Sequence, residues 1–359
     1  MSKSRSLLLF FPIVLTALGV FMIYEASSIT ATSTYGDALY FVRNQLVWFA
    51  LALVCFGFFS RFDYHRLYSL SLPILVINII LLLLVFIPGL YSSALGARRW
   101  LSIGSIVIQP SELTKLTLII YLSAWFSYKE RSRLFAFLIL TGLIIGLVML
   151  QPDLGTAAIL GCVALFLYMV SGAPIKHGLL LVPLAATVFL LLAVLSPYRL
   201  QRLTTFLNPQ HDPQGIGYHI QQINIALSLG GVWGSGFGSS KQKFLFLPEA
   251  HTDSIFAIIG ENFGFVGSVL IVSIYVAFLL YIYQHLLRVK DRLGFLLASG
   301  VFFIIGFQSL INLGAMVQLL PLTGIPLPFI SYGGSSLLTF YILSGILFNI
   351  IGYSEKKRR

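Results

Sequence analysis

Between Phe246 and Gly260 the chain reads FLPEAHTDSIFAIIG, which sets Glu249, His251 and Asp253 on alternate positions at the lip of a long apolar run. Two carboxylates and an imidazole so near hydrocarbon are costly to keep there, and ionisable groups in such places mark sites of function. A positioned carboxylate takes a proton from a hydroxyl at neutral pH. Asp253 is therefore the candidate general base, with Thr252 and His251 beside it as candidate substrate contacts. The structural alternative for Asp253 is a cap on the helix that starts next to it.

The elements that must position this cluster are membrane helices. Of 359 residues, 58% are hydrophobic and 10% charged, where a soluble domain carries about 25% charged residues. Apolar runs of about 20 residues cross a bilayer as helices. Ten such cores are expected, near 7–24, 45–60, 70–87, 113–127, 134–150, 155–172, 178–196, 262–284, 294–316 and 335–352. The expected fold is one all-α polytopic domain over 1–359, with no large soluble module. The basic start before Leu7 reads as the flank of a retained first helix, since a full-length span follows without a small-residue cleavage site.

Charge orients these spans. With the N-terminus in the cytoplasm, Lys3, Arg5, Arg61, Arg66, Lys129, Arg131, Arg133, Lys176, Arg288, Lys290, Arg292, Lys356, Lys357, Arg358 and Arg359 all fall on inner loops, facing only Asp63, Glu130, Asp291 and Glu355. That inner set carries the whole net charge of +11. The positive-inside rule accounts for it and places both termini in the cytoplasm. The basic balance thus reflects anionic lipid, not nucleic acid. Cys55 and Cys162 are single apolar-span residues with no disulfide or zinc spacing. There is no nucleotide-binding loop, so energy for any chemistry must come with the substrate.

The elaborate loops all fall outside. The longest, about 197–254 between the seventh and eighth spans, is of a length usually kept for function. Gly96–Lys115, Gln151–Thr156 and Leu320–Ser336 converge on the same face. Arg98 and Arg99 suit phosphate oxygens as paired guanidiniums, or a lipid phosphate without catalysis. Trp100 is an interfacial belt residue or a substrate contact. Glu112 and Lys115, at i,i+3, share one helix face, as a structural ion pair or as site groups. Asp153 is a helix cap or a site group. Lys241 and Lys243 are solvated loop charges or diphosphate ligands. Ser331 lies in a Pro/Gly-rich segment that reads as re-entrant or as a loop, and is a substrate contact or a local hydrogen-bonding group. His211 and His219 read as ordinary loop residues.

The stretches ARRWLSIGSIVIQPSELTK, QPDLGTA, YRLQRLTTFLNP with DPQGIGY, SSKQKFLFLPEAHTDSIFAIIGENFG and LPLTGIPLPFISYGGSS closely resemble the SEDS family (shape, elongation, division and sporulation), which includes FtsW and RodA. SSKQKFLFLPEAHTD is more similar to FtsW, and QPDLGT to RodA; the resemblance leans to FtsW. Two positions depart from the family's habit: Ser254 follows HTD where Phe is common, and Asn262 follows Glu261 where a second acid is frequent. The resemblance implies a ten-helix peptidoglycan glycosyltransferase of a bacterial plasma membrane, polymerising lipid II, at the septum if FtsW-like. It also implies a class B penicillin-binding transpeptidase as partner, among other division or elongation proteins. The essential aspartate falls on Asp253, the fourth-helix pair on Glu112 and Lys115, the DLG aspartate on Asp153, and the RRW segment on Arg98, Arg99 and Trp100.

Such a polymerase needs a nucleophilic hydroxyl, a base, and relief for a departing diphosphate. Arg98, Arg99, Lys241 or Lys243 would supply that relief. Mg2+ or Mn2+ would do the same, although the sequence holds no ligand cluster for a metal. Two other classes stay open. A lipid-linked precursor flippase would need polar groups on both faces and through the middle. A noncatalytic division scaffold would leave the HTD cluster unexplained.

Overall fold

The computed structural model describes residues 3–94, 97–104, 106–128, 133–209, 212, 215–238 and 247–356. Each expected span falls on one helix: α1 (Lys3–Tyr35), α2 (Tyr40–Arg61), α3 (Arg66–Leu84), α4 (Pro110–Ser127), α5 (Leu134–Leu150), α6 (Leu154–Val170), α7 (Ile175–Val194), α10 (Ile255–Leu286), α11 (Arg292–Met316) and α12 (Gly334–Lys356). Seven of these are long and apolar enough to cross a membrane unaided, and α5 and α6 are shorter apolar helices. The helix α4 falls in neither group and carries Glu112 and Lys115 in its first turns.

The all-α reading holds, and the structure adds three details. The loop between the seventh and eighth expected spans holds α8 (Pro197–Leu207) and α9 (Ile216–Gly230). A small antiparallel sheet, in the order β1-β2-β3, accompanies the helices: β1 (Tyr91–Ala94), β2 (Ala97–Ile103) and β3 (Ile106–Ile108). A sheet with open edges is tolerable outside the hydrocarbon, where water completes its hydrogen bonds. Helices also outrun their apolar cores. At about 1.5 Å per residue, the 33 residues of α1 exceed the ~30 Å hydrocarbon thickness. Its polar last turns therefore stand beyond the membrane.

The loops sort to two ends. At one, Arg5 pairs with Glu355 at 3.2 Å, the Tyr64 hydroxyl donates to Asp291 at 3.1 Å, and Arg292 donates to the carbonyls of Phe126 and Ser171. These contacts gather the termini and the basic loops together, as the charge pattern requires. Lys129, Glu130, Arg131, Lys357, Arg358 and Arg359 lie outside the described residues. At the other end, Arg99 reaches the α5–α6 turn, Gln109 reaches Ser335, and Arg202 reaches Leu322. The four polar clusters thus meet on one face.

The centre of the bundle is α12, packed along α2 and against α4, α11 and α1. The outer part of α10 is buried from Ile255 to Asn262. It separates from the remainder at Gly264, whose backbone (φ 66, ψ −162) is non-helical. The expected span began at 262 because apolarity alone cannot distinguish this protein-buried half-helix from loop. Close packing fixes the break. A Cβ on Gly264 would lie 2.4 Å from the Gly234 nitrogen. On α9, Gly230 lets the Gly260 carbonyl approach to where its own Cβ would be, 2.0 Å away.

Gly264→Ala should therefore lower the melting temperature of the detergent-solubilised protein, by strain of about 1–3 kcal/mol plus backbone displacement. Gly142→Ala, in α5 with no atom within 4 Å of the added carbon, should leave it unchanged or slightly higher. Equal effects at the two positions would contradict this account of the break.

Candidate functional site

The site is built on the turn that precedes α10. Glu249 sits at φ 50, and its carbonyl accepts the amides of Thr252 (3.1 Å) and Ser254 (3.2 Å). This folds Glu249 and Asp253 onto one side. The Thr252 hydroxyl donates to Glu249 Oε2 at 2.7 Å and lies 3.3 Å from Asp253 Oδ1. Asp253 is not the helix cap: Ser254 holds that position, without a side-chain cap bond. Asp253 Oδ2 faces Gly324, 3.7 Å from where a Cβ there would stand.

Neighbouring elements hold the turn from three sides. Asn312 on α11 donates at 2.8 Å to both the Asp253 and the Ile325 carbonyls. The Tyr332 amide donates to the His251 carbonyl at 2.9 Å. His219 Nε2 shares a 2.7 Å hydrogen bond with the Ser254 hydroxyl. One turn before Asn312 on the same helix face, Gln308 donates to the Pro326 carbonyl at 2.8 Å and accepts from Lys115 Nζ at 2.9 Å. Lys115 in turn binds Glu112 at 2.6 Å, with both side chains buried. A continuous polar chain therefore runs from the ion pair through α11 to the Asp253 turn.

Electrostatics single out Asp253. Burial, aided by the Glu249 charge, raises its carboxyl to about 7. Its own backbone amide, the Arg202 charge and the Thr252 hydroxyl pull the other way without prevailing. A carboxyl titrating near neutrality is suited to proton transfer there. Burial also pushes His219 down to about 4 and lowers His251, in both cases against the Glu249 charge. Both rings are thus neutral at physiological pH.

The other candidates have varied settings. Asp153 caps α6 through the Thr156 amide at 3.1 Å, and Gln109 approaches its other oxygen at 3.5 Å. Arg99 is committed to the carbonyls of Gln151 and Pro152, so it shapes the α5–α6 turn. Trp100 is half-buried in β2, opposite Ser92. Arg98 pairs with Ser93 in the same sheet. The Ser331 hydroxyl accepts the Leu327 amide at 2.8 Å, and its carbonyl faces Gln45, which stabilises the turn between α11 and α12. Lys241 and Lys243 lie outside the described residues.

Sequence reading missed Arg202, Gln308, Asn312 and the bond made by His219. Only Arg202 had a signal, as a basic residue inside YRLQRLTTF. The two amides had none, since an Asn or Gln on an apolar helix shows its purpose only when its partners are placed.

The model of the FtsW, RodA and SpoVE family, described as cell cycle proteins, matches residues 5–356. The chain belongs to the FtsW/RodA/SpoVE family. Stage V sporulation protein E of Bacillus subtilis is 36% identical, with 97% of each chain covered. A probable peptidoglycan glycosyltransferase FtsW of Geobacter metallireducens is 36% identical, covering 96% of this chain and 93% of its own. Among solved structures, a chain of a peptidoglycan synthase complex that coordinates polymerization and crosslinking superposes with a TM-score of 0.79 at 28% identity, covering 97% of each. An aspartate-to-alanine variant of Thermus thermophilus RodA gives 0.70 at 27% identity, covering 96% of each. The family's FtsW and RodA branches are thus both represented among the relatives of this multi-pass membrane protein.

Removing one member of the buried pair leaves an uncompensated charge. Lys115→Met should destabilise the protein by about 3–5 kcal/mol, and the combined Glu112→Gln/Lys115→Met change by clearly less. Thermal unfolding of the purified variants checks this; a double variant less stable than Lys115→Met would contradict it.

Proposed function

We propose that this protein is a peptidoglycan glycosyltransferase that polymerises lipid II on the outer face of the plasma membrane, with Asp253 as general base. The observation that carries the reading is a buried carboxyl titrating at about 7, held by α11 and the 320–333 loop at the end opposite the basic loops. Asp253 takes the proton of the acceptor's sugar 4-hydroxyl. That oxygen attacks the donor's anomeric carbon with inversion, the bond to the diphosphate breaks, and undecaprenyl diphosphate leaves. A sugar hydroxyl is a poor nucleophile at neutral pH, and a positioned base contributes about 10²–10⁴-fold.

Arg202 is the described cation whose field reaches Asp253, and it is placed to offset the leaving diphosphate. Arg98, Lys241 and Lys243 are further candidates, and Arg99 contributes by shaping the α5–α6 turn. Both substrates are lipid-anchored, so confinement to one leaflet raises their effective concentration. Mg2+ or Mn2+ would screen the diphosphate, but among the described residues no group of three or more acidic, His or Cys side chains could hold such an ion, so the charge relief is assigned to the cationic side chains.

The likeness to a synthase complex that couples polymerization to crosslinking supports a class B penicillin-binding transpeptidase as partner. The FtsW relatives support a place at the division septum, and the RodA-like structures keep elongation as the alternative of the same chemistry. A flippase is disfavoured by the ordering of the polar clusters at one end.

In a gel assay with fluorescent lipid II and the purified protein, with and without a cognate transpeptidase, Asp253→Asn should abolish polymerisation while the protein stays folded. An unchanged rate in that variant would end the assignment. For the wild type, kcat/KM should rise with pH through about 7 as the base is freed. Glu249→Gln, which removes the like charge, should move that rise to lower pH.

Stability should run the other way. The folded chain holds the Asp253 proton above the ordinary carboxylate range, so the stabilising contribution is complete below about pH 4. It is lost as pH climbs through about 7. Asp253→Asn should therefore raise the melting temperature more above that pH than below it. A gain independent of pH would contradict the shift.

A further inference from the structure

An aromatic array at the outer ends of α1 and α2 adjoins the Asp253 turn, and the chemistry above does not use it. Tyr35 and Tyr40 stack face to face across the α1–α2 turn, with centroids 3.8 Å apart and planes within 8°. Phe41 meets both edge-on, at 5.8 and 5.3 Å, and lies against His251 at 4.4 Å. Tyr332 closes the array at 5.2 Å from Phe41 and 5.4 Å from His251. The rim is polar: Arg43 pairs with Asp37 at 3.2 Å and is 71% exposed, and Asn44 is hydrogen-bonded to Tyr332.

Fixing the α1–α2 turn to the Asp253 turn requires only the inner rings, Phe41, His251 and Tyr332. The Tyr35–Tyr40 stack extends beyond them, and Tyr35 is 51% exposed. A tyrosine of the interfacial belt gives its ring to lipid, whereas here one face of Tyr35 is given to another ring and the remainder is open beside a charged pair. A pyranose presents C–H groups on its faces and hydroxyls around its edge. A site for it therefore joins a flat aromatic surface to a few polar groups at the margin.

We propose that the Tyr35–Tyr40 stack, with Asp37 and Arg43 at its margin, is a platform for a pyranose ring of an amino-sugar glycan, held beside the Asp253 turn. The proposal rests on the reading of Asp253 as a base for a sugar hydroxyl. Two sources supply that ring chemistry: a lipid-linked disaccharide awaiting reaction, and the sugar units of the growing strand.

The test is binding without turnover, on the full-length protein in nanodiscs, with fluorescent lipid II as one probe and a soluble, uncrosslinked GlcNAc–MurNAc oligomer as the other. Tyr35→Ala and Tyr40→Ala should each weaken at least one probe by about tenfold, while Tyr35→Phe, which keeps the ring, binds almost as the wild type does. Loss of lipid II alone assigns the platform to the lipid-linked sugar, and loss of the oligomer alone assigns it to the strand. Unchanged binding of both probes to folded alanine variants overturns the proposal. If Tyr35→Ala or Tyr40→Ala unfolds the protein, Arg43→Ala at its exposed position carries the test: weaker binding of either probe supports the platform, and none overturns it. A platform that binds sugar in a protein whose Asp253→Asn variant still polymerises would remove the base and keep the platform.

Discussion

A polar group inside a membrane bundle must find its partner within the protein, because lipid offers none. In this chain that constraint falls on α11. Gln308 and Asn312, one turn apart, face α4 on one side and the 320–333 loop on the other. Gln308 joins Lys115 to the Pro326 carbonyl, and Asn312 joins the Ile325 carbonyl to that of Asp253. Two amides thereby satisfy a buried ion pair, the 320–333 loop and the turn that carries the acid. Without them the loop's carbonyls would be orphaned in a dry interior, at a cost of about 1–3 kcal/mol each.

The same burial sets the acid's chemistry. Asp253 is packed against the Gly324 turn and shares one side of its own turn with Glu249, so its charged form is disfavoured twice. The imidazoles nearby are too buried to offer it a counter-charge. Arg202, anchored on the Leu322 carbonyl, is the cation whose field reaches it, and that field moderates the shift without reversing it. A carboxyl in this state holds its proton tightly enough to cycle near neutrality, where an exposed aspartate has already lost it.

The Asp253 turn lies at one end of the molecule. The basic loops and the two termini gather at the opposite end, where ion pairs such as Arg5–Glu355 and hydrogen bonds such as Tyr64–Asp291 and Arg292–Ser171 tie helix ends together. The end that holds Asp253 also carries the short sheet, the two loop helices and the aromatic array around the acid.

Much of this was legible in the residues alone. Apolar runs marked ten long helices, because hydrocarbon leaves a spanning chain no other backbone solution, and Lys and Arg told their two ends apart. Glu249, His251 and Asp253 announced themselves by being ionisable beside an apolar run. Other assignments belonged to tertiary structure. Glu112 and Lys115, a structural ion pair or site groups by spacing alone, became part of a buried polar chain once Gln308 was set beside them. Asp153 became a cap when the Thr156 amide met it. Arg99 turned from phosphate donor to loop brace when the α5–α6 carbonyls came within reach. The half-helix before Gly264, the loop helices and the sheet were hidden for the same reason. Local periodicity records which residues avoid water, whereas partners distant in sequence decide which polar groups are satisfied, which carboxyl is squeezed, and therefore which one is ready to react.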